Sequence, residues 1–470
     1  MSASRVSPLV VALLLAGCAS LTPPAVDATG GVAPPAEWSA AGGTRPEASV
    51  PAESLADWWQ RFGDPELSRL IAEALAANTD VTSARAALRQ ARALQSVERA
   101  QAGPRLDASG SAQRSRSNSG SASNSFRAGF DASWEPDVFG GNRAGVAARD
   151  ADAQASAANL GDVQVSVAAE VALAYLALRG SEARLAIARD NLASQQDTAQ
   201  ITQWRVQAGL ATSLESEQAR GSVEQTRAQI PSLQKAIAQS RHQLALLTGR
   251  TVGALQLAES TVLPQPAADL ALAFPADTLR QRADVRAAEA RVRAAAQRVV
   301  QADAARYPSF SLSGSLGLQA LTLSGLTGGG ALASSLLAGV SLPIFDGGAA
   351  TAQRDAQQAA FEQSHEALRG TVLVALKDVE DALVALQRDR ERLATLQQAA
   401  EAAGNAALLA RQRYASGLID FQTVLETQRS LLSAQDNVAS SRVDVATDHV
   451  RLYKALGGGW TPDPNNSTTS

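Results

Sequence analysis

The chain holds one cysteine, one methionine and three histidines, and aromatic residues fill only 4% of its 470 positions. A lone cysteine can form no internal disulfide. So few aromatics leave little large side chain for a thick globular core, and alanine supplies much of the 45% hydrophobic fraction. Ala, Leu, Gln, Arg and Glu together favour long, closely packed helices. A formal net charge of -4 offers no electrostatic footprint for nucleic acid. Beyond the first residues nothing approaches 18 uninterrupted apolar residues, so no transmembrane helix is expected. His242, His365 and His449 lie apart in helical pattern without other ligand types nearby, and read as packed or solvated side chains. Carboxylates such as Asp378, Glu380 and Asp381 read as helix-surface charges paired with Arg at i+3 and i+4. With neither a phosphate loop nor a nucleophile elbow, the chain is expected to be no enzyme and to need no cofactor or metal.

What is present begins at the N-terminus. "MSASRVSPLVVALLLAGCAS" places Arg5 before a short apolar run ending in small residues, which reads as a secretory signal over residues 1–17. "LAGC" (residues 15–18) resembles the bacterial lipobox, so Cys18 is the expected acylated N-terminus; the alternative is an ordinary signal peptide whose cleavage site contains a cysteine. Residues 18–54, rich in Pro, Ala and Gly, read as a lipid-anchored extended arm.

The rest divides into two halves with the same element order. The first runs over residues 55–249, with strands at about 105–113 and 126–136. The second runs over 275–457, with strands at about 309–320 and 334–343. A linker (250–274) joins them and a disordered tail (458–470) follows. Two halves of about 200 residues are too long for a solenoid repeat and imply an internal duplication. In "FRAGFDASW", Phe126, Ala128, Phe130, Ala132 and Trp134 alternate with polar or tiny residues; "SFSLSGSLGLQA" does the same, and "RLDASGSAQ" and "SLLAGVSL" do so more weakly. Such lengths suit a tilted membrane strand of about nine to eleven residues, though a half-buried soluble sheet has the same period. In lipid four strands leave open edges, so copies must associate: two would reach the smallest barrel of about eight strands, three would make twelve around an aqueous lumen. The Ser/Asn/Gly loop "RSRSNSGSASNS" and its counterpart "TLSGLTGGGA" suit the watery end of each strand pair. At the other end Pro136, Gly140 and Gly141 recur at the same mutual spacing as Pro343, Gly347 and Gly348. There strand gives way to helix, and the prolines suit the last residue or two of a ladder.

"LADWWQRFGDPELSRLIAEALAANTDVTSARAALRQARA", "ADVRAAEARVRAA" and "VALKDVEDALVALQRDRERLATLQQAAEAAGNAALLARQRYASGLIDFQTVLETQRSLLSAQ" resemble the TolC-like outer-membrane efflux proteins, in particular the NodT/OprM lipoprotein branch. The resemblance runs from Cys18 to about Leu456. It implies a mainly α fold with a membrane β-barrel part: a homotrimer whose twelve-stranded barrel, set in outer-membrane lipid, continues as a periplasmic α-helical tunnel. The implied partners are a periplasmic adaptor and an inner-membrane transporter of the resistance-nodulation-division class. The implied function is passive export of small molecules such as drugs. A type I protein-secretion duct or a metal-ion efflux channel would share this architecture, although Met1 is the only methionine available as a soft ligand. A lipid-anchored coiled-coil structural protein is the rival of a different class. The resemblance also implies a periplasmic gate at the helix breaks "QAGLATSLESEQ" and "YASGLIDFQTVLETQ". Counted from Gly417, the constricting positions are Gln422, Thr423 and Glu426, with Tyr414 and Glu215 where locking contacts occur. The sequence departs from the family's charged pattern, since Thr423 is neutral and Ile419 replaces a basic residue that bridges hairpins elsewhere. This implies a gate held more by packing and hydrogen bonds, with Glu426, repeated by threefold symmetry, as the one acidic ring favouring cations at the mouth; the alternative is a solvated helix charge.

Overall fold

The computed structural model describes residues 21–39, 53–116, 122–266 and 275–461. The signal segment, Cys18 and most of the tail therefore lie outside the described residues. The helices are α1 (Glu53–Ala56), α2 (Pro65–Ala77), α3 (Thr79–Gln101), α4 (Gly141–Gln207), α5 (Ser213–Leu247), α6 (Pro275–Gln281), α7 (Ala283–Ala304), α8 (Ala349–Ala415) and α9 (Phe421–Ala455). Between them lie β1 (Arg105–Ser115), β2 (Ser123–Trp134), β3 (Ser309–Ala320) and β4 (Leu332–Ser341). α4 and α8 are 67 residues each, and α5 and α9 are 35 each. At about 1.5 Å per residue the longer pair reach ~100 Å.

Chain contacts form two compact units, each taken over its described residues: one from Met1–Val32, Ala86–Ala157 and Arg286–Thr371, the other from Ala33–Arg85, Ala158–Val285 and Val372–Ser470. Each unit draws on both sequence halves, so the repeats are not the bodies that pack. A helix of 67 residues outruns any single core, and its two ends serve different ones.

The first unit holds the sheet, antiparallel in the order β1-β2-β3-β4. Its register gathers most of the large apolar side chains on one face. Leu106, Ala132, Gly314 and Leu336 form one row across the four strands, and Ala108, Phe130, Leu316 and Ser334 another. On the opposite face Asp107, Asp131, Ser315 and Ser335 share a row. There the Ser109 hydroxyl donates to Asp131 at 2.6 Å, Ser315 and Ser335 are 2.8 Å apart, and Arg127 donates to Gln319 at 3.2 Å. Large apolar side chains on the other face are left bare, Leu336 at 78% and Phe130 at 56% exposure. Beside the sheet α4 and α7 pack through small residues: Ala144, Ala148, Ala151 and Ala155 are buried at helical spacing, and a Cβ on Gly141 would lie 3.0 Å from the Ala304 side chain.

The second unit carries the larger aromatic core. Trp58 is fully buried and stacks on Tyr453 at 5.3 Å, within a cluster that includes Leu67, Leu70, Ile71, Tyr175, Leu176 and Leu452. α2 starts there because Asp64 caps it, accepting from the N–H of Glu66 at 2.8 Å and of Leu67 at 3.1 Å, with Pro65 in the first turn. Asp64 also accepts from the Tyr175 hydroxyl at 2.8 Å, and burial pushes that phenol up to about 12.

Several expectations change. The strands preceding the prolines end at Trp134 and Ser341, so Pro136 and Pro343 stand two residues past the ladder rather than within it. Proline has no N–H to pair, and the sheet stops before it. The tail is ordered at its start: Trp460 donates its indole N–H to the Gln281 carbonyl at 3.2 Å and lies over Gly161, where any Cβ would collide with the ring. The segment read as a linker is anchored by buried Leu255 and Leu257 and by Arg179, which donates to the Ala258 carbonyl at 2.7 Å and to Glu182 at 2.8 Å. The arm is held too, with Trp38 3% exposed and the Ser39 N–H donating to Glu380 at 2.7 Å. By composition alone an 18-residue window of α4 could cross a membrane, but half of it is buried against protein.

Candidate functional site

Of the three places marked by sequence, Cys18 lies outside the described residues, and the seams and the helix breaks lie within them. At the seams the backbone needs glycine. Gly140 has φ 84°, and Gly347 and Gly348 have 67° and 90°, a region costly for residues with a Cβ. Gly141 is already the first residue of α4. Each long helix then receives an aspartate cap, from different positions in the two halves. Asp137 accepts from the Arg143 N–H at 2.8 Å; Asp346 accepts from Gly348 and Ala350, both at 2.8 Å. The N–H groups of Ala350 and Gly348 hold the Asp346 carboxyl below the usual carboxylate range.

The helix breaks are built alike, 208 residues apart. Gly209 (φ 71°) and Gly417 (φ 73°) close the ends of α4 and α8, where the Leu210 N–H bonds to the Arg205 carbonyl at 2.7 Å and Leu418 to Arg413 at 2.9 Å. The helices beyond start on side-chain caps. Thr212 and Glu215 form a reciprocal box: the Glu215 N–H donates to the Thr212 hydroxyl at 3.3 Å and the Thr212 N–H donates to the Glu215 carboxylate at 2.9 Å. Asp420 accepts from the N–H of Thr423 at 2.9 Å and from its hydroxyl at 2.6 Å, and these two bonds lower its carboxyl below the ordinary range.

Of the five positions expected at the gate, none touches all the others within one chain. Glu215 is committed to its cap and Thr423 to Asp420. Gln422 donates to Glu426 at 3.0 Å on an exposed face of α9. Tyr414 is buried, packed on Phe421 at 5.5 Å, with the Arg205 guanidinium 4.4 Å above its ring and donating to its carbonyl at 3.0 Å. Arg205, Phe421 and Asp420 were not singled out from sequence. The signal was available: the Thr-x-x-Glu box at 212 maps onto Asp420 once the halves are aligned by their glycines.

Behind the tip, α4 from the first half is fastened to α9 from the second. Arg184 forms a two-pronged pair with Asp436 at 2.6 and 2.9 Å, Asn191 donates to Gln435 at 2.7 Å, and Gln428 donates to Thr198 at 2.9 Å. Further along, a Cβ on Gly180 would lie 2.4 Å from Val443, so the helices touch there only because residue 180 is glycine. Among the described residues no group of His, Cys, Asp or Glu is placed to hold a metal ion. His449 is a packed side chain: Arg390 can only donate to its Nε2 at 2.8 Å, which leaves the proton on Nδ1 to be given to the Val445 carbonyl at 2.7 Å.

Comparison with known proteins gives these features a setting. A family model described as outer membrane efflux protein matches residues 70–250 and 274–458. The chain is 34% identical over 481 residues to the pyoverdine export outer membrane protein OpmQ of Pseudomonas aeruginosa, covering 98% of both chains. It is 33% identical over 427 residues to the toluene efflux pump outer membrane protein TtgF of Pseudomonas putida, covering 89% of this chain and 88% of that protein. Among solved structures the outer-membrane channel OprN superposes with a TM-score of 0.83 at 32% identity, over 95% of this chain and 98% of the other.

Proposed function

The chain belongs to the outer membrane efflux protein family, and on that premise we propose that three copies form one conduit for small molecules across the outer membrane. It is an outer-membrane efflux channel. In our reading the copies join their four-stranded sheets into a twelve-stranded barrel, and α4, α5, α8 and α9 continue it as a periplasmic tunnel. The observation that carries this reading is the open sheet. Among the described residues β1 and β4 are the edge strands, each hydrogen-bonded to a neighbouring strand on one side, and one sheet face is bare and apolar. In lipid both are satisfied only by closure with further strands.

The same reading makes Cys18 the acylated residue that adds a lipid anchor to the barrel. It makes the tips at Gly209 and Gly417 the periplasmic mouth, narrowed by Gln422, Thr423 and Glu426 and steadied by Tyr414 and Glu215. The energy comes from partners, a periplasmic adaptor and an inner-membrane transporter of the resistance-nodulation-division class. The named cargoes of OpmQ and TtgF, pyoverdine and toluene, are small and chemically unlike each other. We therefore assign small molecules as the cargo class and leave selection to the transporter. Deleting the gene in its host should raise susceptibility to amphiphilic toxic compounds, and re-expression should restore resistance. Unchanged susceptibility together with loss of an exported protein would replace this reading with protein secretion.

A further inference from the structure

The two seams differ in what covers them. At the first, between β2 and β3, Phe139 stacks on Tyr307 at 5.0 Å and on Phe310 at 6.5 Å. The residue leaving β2 is thereby sealed against the residues entering β3. At the second, Ile344 and Phe345 follow β4 with nothing over them, at 94% and 92% exposure. A pair so bare, next to a glycine turn that fixes its direction, needs a cover.

The internal repeat points to the receiving side of that cover; on the seam spacing Phe139 itself aligns with Asp346, and Phe345 with Val138. "PRLDASGS" from Pro104 opens β1 as "PSFSLSGS" from Pro308 opens β3, so Leu106 corresponds to Phe310 and Gly103 to Tyr307. Leu106 is itself 69% exposed, and β1 is the free edge of the sheet as β4 is the other. Where the internal joint puts a tyrosine opposite the incoming ring, the β1 entry has a glycine, which leaves room for the larger Ile344–Phe345 pair.

We propose that Ile344 and Phe345 of one copy dock on Gly103, Pro104 and Leu106 of a second copy, sealing the barrel rim between copies as Phe139 and Tyr307 seal it within a chain. This rests on the reading that copies of the chain close the barrel by pairing β4 with β1. The contact is built from apolar side chains on both sides and repeats once per subunit boundary. Burial of the same pair in the lipid of the inner leaflet is the competing fate.

The test is cross-linking in outer-membrane preparations, with particle mass measured in detergent for every variant. Leu106→Cys with Phe345→Cys in one chain should give covalent dimers and trimers on mild oxidation, and either single variant should stay monomeric on a denaturing gel. Ile344→Ala with Phe345→Ala should lower the temperature at which the oligomer dissociates, whereas Phe139→Ala, which acts inside one chain, should lower it less. Oligomers of normal mass without the cross-link, in which the thiol introduced by Phe345→Cys reacts with a lipid-phase probe, would overturn the proposal while leaving the barrel reading intact. A wild-type chain that is monomeric in detergent would remove the barrel reading and this inference together.

Discussion

Asp448 on α9 is 1% exposed, accepts from Arg451 at 3.2 Å on one oxygen, and faces Asp389 of α8. Burial, and next the Asp389 carboxyl, push it up to about 6 from 3.8. A carboxyl whose folded value is raised binds its proton more tightly in the folded state, so its contribution is fully present below about 4 and is lost as pH rises towards 6. Asp448→Asn should therefore melt at a higher temperature than wild type at pH 8 and show little difference at pH 4. Melting curves by circular dichroism at both pH values check this, and an equal difference at the two would contradict it. His449, one residue on, is held below its ordinary value by burial and by Arg390. Tyr414 and Glu426 carry the corresponding test of the mouth. Removing the buried Tyr414 ring should cost about 3–5 kcal/mol of local packing and raise single-channel conductance. Glu426→Gln should lower cation preference while leaving conductance near wild type. Unchanged conductance and selectivity in both would place the constriction elsewhere.

The elements were legible where spacing carries the physics. The Pro-x-x-x-Gly-Gly seams, the glycine at each helix break and the alternation of Phe126 to Trp134 follow from backbone freedom and a period of two, which a sequence displays directly. What sequence hid was pairing. Leu337 breaks the pattern of β4 because it falls in the row of Arg105, Ser133 and Ser313, and only the register reveals which face that is. Trp38 and Trp460 sit in segments of loop composition, and their order comes from partners far away in the chain. Arg205 over Tyr414 joins the two halves across 209 residues, beyond any local window. The register also yields a prediction. Gly129 and Gly317 pair across β2 and β3, and a Cβ on Gly129 would stand 2.7 Å from the Gly317 Cα. Gly129→Val should cost about 1–3 kcal/mol through overpacking and reduce the amount of heat-modifiable oligomer in the outer membrane, whereas Ser109→Val on the same row should not. Equal yields of the two variants would show that the strands do not approach so closely.

For the whole molecule, the chain builds two compact units and repeats its long helices at equal lengths, yet leaves its sheet open at β1 and β4. Among the described residues, apolar side chains such as Leu336 and Val340 are exposed and β1 and β4 are the edges of the sheet. In the proposed closure by threefold repetition there would be twelve strands, wide enough for an aqueous lumen, and an exposed residue such as Glu426 would become a ring. The most direct measurement is to purify the full chain from the outer membrane, determine its mass in detergent and record it in a planar bilayer. The account predicts a particle of three times the subunit mass that conducts in discrete single-channel steps; a stable monomer that produces no steps would contradict it.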